Sequence, residues 1–440
     1  MKILLVNTYD FGGAAQACIR LHIGLLNSEI TSNLLLQTKS QTFIPNTCQF
    51  EKKEGLEQVS FWQKVKNKTK NIAHEFKIID IQKLKEQQRK IKTEEDIFLE
   101  QRNKSLTMFS FPNTKYDITE NPLYKEADII HLHWVAEFLD YSSFFAKNTK
   151  PVVWTLHDES PFEGGEHYTE SFLGINTQGK PITRTYTEVE KKWHDKILSQ
   201  KQQIFDKKTN IHIVSPSNWL SKLSQNSTIF NNFKHYVIPN GLDTQIFNHK
   251  NQVFCRQVFN LPLNKKIVLF VADNLTNDRK GYIYLQKAFE NLMNLSIDND
   301  ILLCAIGSKS NIESSYKNIV EFGFIQDERL MSILYGASDV FVIPSLEDNL
   351  PNTVIESLCC GTPVIGFDIG GISDMITDGK NGYLCPEISV DSLQQTINKF
   401  LENVTTFDRH SISKKATEKY ALQKQAQNYI ELYKSLLNIV

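Results

Sequence analysis

The run Val340-Phe341-Val342-Ile343-Pro344-Ser345-Leu346-Glu347-Asp348-Asn349-Leu350-Pro351-Asn352-Thr353-Val354-Ile355-Glu356-Ser357-Leu358-Cys359-Cys360-Gly361-Thr362-Pro363-Val364-Ile365-Gly366-Phe367 sets two short apolar segments around a polar loop and a helical stretch. Apolar segments of this length, bounded by turn residues, read as buried strands. Pro351 and Asn352 suit a helix start, and Gly361 followed by Pro363 suits a helix stop. Strand, loop, helix and strand in that order point to an α/β fold with a parallel sheet. Asp348 is then expected in the loop beyond the carboxyl end of a strand, and Glu356 about a turn into the next helix. Ligands of open α/β sheets bind in that place.

The same rhythm extends in both directions. A first strand at residues 3–7 leads through Phe11-Gly12-Gly13-Ala14-Ala15 into a helical pattern at 16–26, and further strands are expected at 33–37, 129–132, 152–156 and 211–214. A second series follows at 267–271, 301–307, 320–323, 340–343 and 364–367, and the tail from 411 to 437 reads as helix. Two Rossmann-like lobes in succession result, with expected domains at 1–247 and 248–420 and a terminal helix at 421–440. The segment 248–257 is the expected linker. A helical insertion breaks the rhythm near 50–115, where Phe61, Trp62, Val65, Ile72, Phe76 and Ile79 recur at near-helical spacing and basic residues outnumber acidic ones. One reading is a solvated helical insertion packing one face on the body. Another is a surface that meets a membrane or a lipid-linked substrate, and a third is a lid.

Composition narrows the function. A hydrophobic fraction of 41% supports packed cores and excludes wholesale disorder. A net charge of −1 argues against a nucleic-acid partner, which usually demands a basic excess. The apolar start of the chain is too short for a signal peptide and reads as a strand. No apolar run approaches a membrane span of about 18 residues. The seven cysteines form no CxxC and no metal-ligand spacing, which fits a reducing cytoplasm.

Several residues carry chemistry. Free N–H groups at the helix start near Asn352 and Thr353 suit a diphosphate, while Asp348 and Glu356 suit sugar and ribose hydroxyls. Glu347, nine positions before Glu356, is the out-of-register alternative to Asp348. Arg279-Lys280-Gly281 places two cations before a helix, where they could neutralise a departing diphosphate without a metal. Ile369-Gly370-Gly371 permits close backbone approach to a ligand, and turns use such pairs too. In the first lobe, Gly12-Gly13 lies where a strand meets a helix. His131 and His133 stand at i and i+2, and His157-Asp158 ends a strand. Asp298-Asn299-Asp300 looks like a metal-binding DxD but falls in a loop outside the expected crevice.

These runs, in this order, resemble the family 4 glycosyltransferases, retaining enzymes of the two-lobed GT-B type, over almost the whole chain. Asp348 and Glu356 have the eight-position spacing of that family's acidic pair, with Asp for the usual first Glu. Pro344-Ser345, Cys360-Gly361-Thr362-Pro363-Val364, Val237-Ile238-Pro239-Asn240-Gly241-Leu242-Asp243 and Lys280-Gly281 also match. The DNLPNT-type loop is similar to those of bacterial enzymes of surface-polysaccharide assembly (colanic acid, O-antigen and capsule types).

The resemblance implies that Glu356 holds the donor ribose, Asp348 the transferred sugar, and Lys280 with Arg279 the diphosphate. Many members place an Arg just after the strand at 267–271; Ala272-Asp273 stand here, and Arg279 is expected to supply that cation. Gly12 and Gly13 would face the donor across the cleft. His157 would approach the transferred sugar, with His133 the second choice, and the terminal helix would cross back to the first lobe. Cys is usual in that subgroup where Glu166 stands. The function implied is retaining transfer from a nucleotide-diphosphate sugar to a hydroxyl of a glycan or lipid-linked acceptor. No obligatory cofactor or metal is expected. The expected location is cytoplasmic, with peripheral membrane contact through the 50–110 insertion. The rivals are a nucleotide-sugar epimerase on the same scaffold and a non-catalytic nucleotide-sugar-binding member of an assembly complex.

Overall fold

The protein is described by a computed structural model that covers residues 1–51, 93–106, 108–169, 172–295, 300–308 and 318–439. Phe61, Trp62 and the rest of the apolar pattern of the insertion lie outside the described residues, as do Asp298 and Asn299. Residues Phe50–Asn103 form a unit of their own, in which α2 (Glu94–Gln101) is started by a capping box between Thr93 and Asp96. All that follows concerns the other unit.

Its first sheet comprises β1 (Lys2–Asn7), β2 (Thr31–Leu36), β3 (Thr47–Gln49), β4 (Ile129–Leu132), β5 (Val152–Thr155), β8 (Ile211–Ser215) and β9 (Lys234–Val237), in the order β3-β2-β1-β4-β5-β8-β9. Every pairing is parallel. A short antiparallel hairpin, β6 (Phe172–Ile175) with β7 (Pro181–Thr183), stands apart. Central strands β4, β5 and β8 are buried throughout, as their near-continuous apolar sequence requires when both faces of a sheet are covered. Helices α1 (Gly13–Asn27) and α3 (Glu188–Phe205) belong to this lobe, as does α4 (Asn218–Asn226).

The second sheet runs β12-β11-β10-β13-β14-β15 and is also parallel throughout. Its strands are β10 (Lys266–Asn274), β11 (Ile301–Ser308), β12 (Ile319–Gly323), β13 (Val340–Ile343), β14 (Val364–Phe367) and β15 (Gly382–Cys385). The helices that matter to the site are α5 (Tyr282–Leu295), α6 (Glu328–Ala337) and α7 (Asn352–Cys359). In each sheet the chain builds outward on one side of its first strand, then restarts on the other side. The reversal points, β1 beside β4 and β10 beside β13, are where crevices open at the carboxyl ends of strands.

The expected single helical tail is two helices, α8 (Arg409–Tyr420) and α9 (Leu422–Leu436). The break falls at Ala421, whose ψ of 138° leaves the helix. There Leu242 N–H donates to the Tyr420 carbonyl at 2.8 Å and Leu422 N–H to the Leu242 carbonyl at 2.9 Å. That bridge fixes where the chain turns onto the first lobe. Tyr429 and Tyr433 of α9 are buried in a core shared with β1 and α1, and Leu422 and Ala426 close on Gly24 of α1. The segment expected as a bare linker contains a short helix, Gln252–Val258, started by the Asn251 side chain.

Candidate active site

A cleft of about 830 Å³ lies between the two sheets' carboxyl ends. Its floor in the second lobe is the β13–α7 loop. Asp348 is buried there, and its Oδ2 accepts from Lys280 Nζ at 2.6 Å and from Ser345 Oγ at 3.2 Å, with Arg279 Nη1 at 3.6 Å. Burial alone would push the Asp348 carboxyl up, but the Lys280 and Arg279 charges outweigh it and hold the group below its ordinary value. Arg279 Nη1 also donates to the Glu347 carbonyl at 2.6 Å, and its guanidinium lies 4.5 Å from the centre of the Tyr168 ring. Both cations of the Arg-Lys pair therefore converge on the acidic loop. Lys280 can stand so close because Gly281 has φ +68° and a Cβ there would sit 1.8 Å from the Pro344 carbonyl oxygen.

Asp348 and Glu356 line the cleft, whereas Glu347 does not. Glu347 is buried, as is Glu159 of the first lobe. Burial pushes Glu159 up to about 7, against a hydrogen bond from Thr169 Oγ1 at 2.7 Å, and the neighbouring Glu163 adds to the rise. A carboxyl whose folded value is raised stabilises the fold below its unfolded value of about 4.5, and that contribution is lost as pH rises through about 7. Replacing Glu159→Gln is therefore expected to flatten the stability profile, adding about 2 kcal/mol at pH 8 relative to pH 5. Urea-unfolding midpoints at the two pH values check this; equal shifts at both would refute it.

Glu356 projects from α7 and is nearly buried. Its Oε1 accepts from Arg20 Nη2 at 2.8 Å and its Oε2 from the Tyr335 hydroxyl at 3.2 Å. Asn352 and Thr353, at the start of α7, line the cleft, and no side chain caps that end. Their N–H groups and the positive end of the helix suit an anion. Asn352 Nδ2 reaches the Gly13 carbonyl of the other lobe at 3.1 Å. Gly12, with φ +88°, and Gly13 line the cleft, and a Cβ at either would meet nothing within 4 Å.

In the first lobe His157 lines the cleft and His133 does not. His133 is a correction to the sequence reading: it is buried behind His157, its Nδ1 hydrogen-bonded to His157 Nε2 at 3.0 Å. Burial pushes His157 down to about 4, partly offset by Asp158, and pushes His133 well below its ordinary value. Both imidazoles are neutral near pH 7, so His157 meets a ligand as a hydrogen-bonding group and not as a cation. His131 spends both ring nitrogens on the Tyr433 hydroxyl (2.6 Å) and Thr155 Oγ1 (2.7 Å), which leaves neither for a metal.

Of the two readings of the Gly370-Gly371 pair, the turn is the one found: the pair lies in a short 3-10 turn and approaches the protein's own loop. A Cβ on Gly371 would lie 1.5 Å from the Asn349 carbonyl oxygen, and one on Gly370 2.4 Å from that of Asp348. The pair supports the acidic loop from beneath. Asp158, read from the sequence as the polar partner of His157 at a strand end but given no role, has its Oδ2 bonded to His167 Nδ1 (2.6 Å) and to Trp134 Nε1 (2.8 Å) at the cleft wall. Burial opposes its ionisation, yet His167 and these hydrogen bonds hold it at about 2. Buried Lys201 of α3 donates to the carbonyls of Ser160 and Glu163 and pins the loop that carries this wall. Glu166, where the subgroup has Cys, is ion-paired with Arg184 at 2.9 Å. Sequence reasoning missed Arg20 and Glu328. Their one signal was a charge at Arg20 on the same helical face as Ala17, Leu21 and Gly24.

Two parallel sheets facing each other across such a cleft define the GT-B class of fold. Residues 252–419, in the second lobe, match the family described as Glycosyl transferases group 1. The chain is 28% identical over 220 residues to a lipopolysaccharide 1,2-N-acetylglucosaminetransferase of Salmonella typhimurium, covering 45% of this chain and 56% of that one. It is 22% identical over 333 residues to an Escherichia coli protein named as a colanic acid biosynthesis glycosyl transferase, WcaC, covering 72% and 78%. The chain spans about half the length of the first curated relatives it matches. Among solved structures, Anabaena Alr3699/HepE in complex with UDP-glucose shares the fold with a TM-score of 0.62, at 16% identity over 99% of this chain and 100% of that one. Among the described residues no helix is long and apolar enough to cross a membrane.

Proposed function

We propose that the protein is a glycosyltransferase that moves a sugar from a nucleotide-diphosphate sugar to a hydroxyl of a glycan or lipid-linked glycan, with anomeric configuration retained, in bacterial surface-polysaccharide assembly. The observation that carries this reading is the polarity of the cleft. A cationic corner (Lys280, Arg279 and the open start of α7) adjoins an acidic residue, Asp348, and a second acid, Glu356, projects from the same helix whose start faces the anion. That order of charges matches a sugar, a diphosphate and a ribose laid end to end. A carboxylate beside a diphosphate would repel it, so each acid belongs with hydroxyls.

In this reading the C1–phosphate-oxygen bond breaks as the acceptor oxygen attacks C1 from the same face. The acceptor proton passes to the departing phosphate oxygen. Lys280, Arg279 and the N–H groups of Asn352 and Thr353 stabilise the charge growing on the diphosphate. Neutral His157 hydrogen-bonds the transferred sugar, and Asp348 takes another of its hydroxyls. Closure of the cleft keeps out water, which would otherwise hydrolyse the donor. Peripheral contact with a membrane remains assigned to the 50–110 insertion, and the site of action to the cytoplasmic face.

The test is a calorimetric panel of UDP-, GDP-, dTDP- and ADP-sugars. UDP-glucose comes first because the structurally similar Anabaena protein was solved with it. One nucleotide is expected to stand out, with affinity reduced at least tenfold in Glu356→Gln, because a hydroxyl loses a charged acceptor. No binding across the panel would sink the donor-site reading. Donor conversion without acceptor would instead favour an epimerase.

A further inference from the structure

Arg20 reaches from the first lobe into the second. On α1 it stands on the buried stripe of Ala17, Leu21 and Gly24, and its guanidinium is itself buried. Nη2 donates to Glu356 Oε1 and to Glu328 Oε1, both at 2.8 Å, while Gln16 Nε2 donates to the same Glu328 oxygen at 2.9 Å. The guanidinium carbon lies 5.7 Å from the centre of the Phe247 ring. Tyr335 holds the other oxygen of Glu356 from behind. The Glu356 carboxylate is thus fixed in one orientation by groups from both lobes.

One part of this cluster is unfinished. Arg20 Nη1 is buried and has no hydrogen-bond partner, although Arg20, Glu328 and Glu356 all line the cleft. A buried cationic N–H without an acceptor is costly and marks a position meant for one. The neighbouring carboxylate has the opposite need. With one lone pair on each oxygen taken by Arg20 and Tyr335, its remaining lone pairs want donors. A hydroxyl meets both needs at once, donating to Glu356 and accepting from Nη1. A phosphate does not, because Glu328 and Glu356 outnumber the single guanidinium and would repel it.

We propose that Arg20 supplies the first lobe's half of a ribose site: it orients Glu356 and gives its free Nη1–H to the ribose hydroxyl that donates to Glu356, so that the closed cleft selects a ribonucleoside diphosphate over its deoxy counterpart. The proposal rests on the reading that the donor's ribose meets Glu356. It adds that this ribose is held from both lobes. Arg20 is also a specificity-determining residue.

The test is calorimetry on the full chain with UDP, GDP and ADP, each beside its 2′-deoxy and 3′-deoxy forms. Wild type is expected to bind one ribonucleotide about tenfold to a hundredfold more tightly than at least one of its deoxy forms. Arg20→Lys keeps the charge opposite the two glutamates but loses the planar fork. In it the ribo-to-deoxy ratio is expected to fall to about threefold or less, with the deoxy form bound nearly as in wild type. Arg20→Gln is the second variant. The ratio is measured on one protein sample, so a lowered folded fraction leaves it unchanged. An unaltered ratio in the Arg20 variants, with Glu356→Gln still weakening the ribonucleotide, overturns the proposal and leaves the donor-site reading standing. Indifference of nucleotide binding to Glu356→Gln overturns both.

Discussion

Sugar transfer by Lys280→Ala is expected to fall about a thousandfold in kcat/KM, equivalent to about 4 kcal/mol of transition-state stabilisation. Lys280 Nζ sits 2.6 Å from Asp348 Oδ2 beside the open start of α7. A donor diphosphate entering there would take over part of that ammonium's hydrogen bonding as negative charge accumulates on the leaving group. Arg279, 3.6 Å from the same carboxylate, remains in the variant and limits the loss. The substitution also removes the nearer of the two charges that offset the burial of Asp348. Its pKa should therefore rise, and the acid limb of the pH–rate profile should move to higher pH. Lys280→Arg, which keeps the charge, should leave that limb in place. Because the protein supplies these cations itself, wild-type transfer is expected to survive exhaustive chelation. A loss of activity on chelation, restored by a divalent ion, would show that the cationic corner alone does not suffice.

The strands that frame the cleft were legible because each is a short buried run between turn residues. Ile129–Leu132, Val340–Ile343 and Val364–Phe367 have the bounds expected of them. Strands β3, β9 and β15 were not legible. β3 and β9 are edge strands with exposed or half-buried residues (Thr47, Cys48 and Gln49; Lys234 to Val237) and lack an apolar run. The break in the tail falls where the expected terminal helix begins, but no local signal marks it as a helix end. Ala421 has no helix-stopping chemistry, and the helix ends because a distant residue, Leu242, pairs with the backbone there.

The site divides in the same way. Asp348, Glu356, Lys280 and the start of α7 could be placed because they follow strands, and a parallel sheet puts such residues at one edge. His133 follows β4 as His157 follows β5, so position alone could not tell which of them reaches the cleft. Packing decides it, since His133 sits behind His157. Arg20 lies in mid-helix and acquires its role only from Glu328 and Glu356, more than 300 residues away. Contacts of that kind belong to the meeting of the lobes and leave no local trace.

Gly371→Ala should be the most disruptive single-methyl change in the second lobe. The added Cβ would lie 1.5 Å from the Asn349 carbonyl oxygen and 3.0 Å from the Ser217 Cβ. The carbonyl is backbone, so the clash cannot be relieved by a rotamer, and the Asp348–Asn349 loop must move. Gly371 N–H also donates to the Asp348 carbonyl at 3.0 Å, and that bond would stretch with it. Moving the loop breaks contacts in two directions. Asn349 Oδ1 accepts from Ser217 Oγ at 2.6 Å, and its Nδ2 donates to the His157 carbonyl at 3.3 Å, so the lobes lose a clasp. Asp348 is displaced from Lys280 on the other side. Overpacking of this kind costs about 3 kcal/mol, and a shift of about 1 Å in a reacting geometry costs about a hundredfold in rate. Both should appear together, as a lower urea midpoint and a lower kcat. Gly13→Ala supplies the contrast. Its Cβ would meet nothing within 4 Å, and alanine suits the first turn of α1 better than glycine. Its stability should hold or rise slightly while transfer falls, because the methyl group stands in the cleft where a diphosphate would approach. If Gly371→Ala lost activity with an unchanged midpoint, or Gly13→Ala kept full activity, the two glycine pairs would have to exchange roles: Gly370-Gly371 would face the ligand, and Gly12-Gly13 would merely turn the chain.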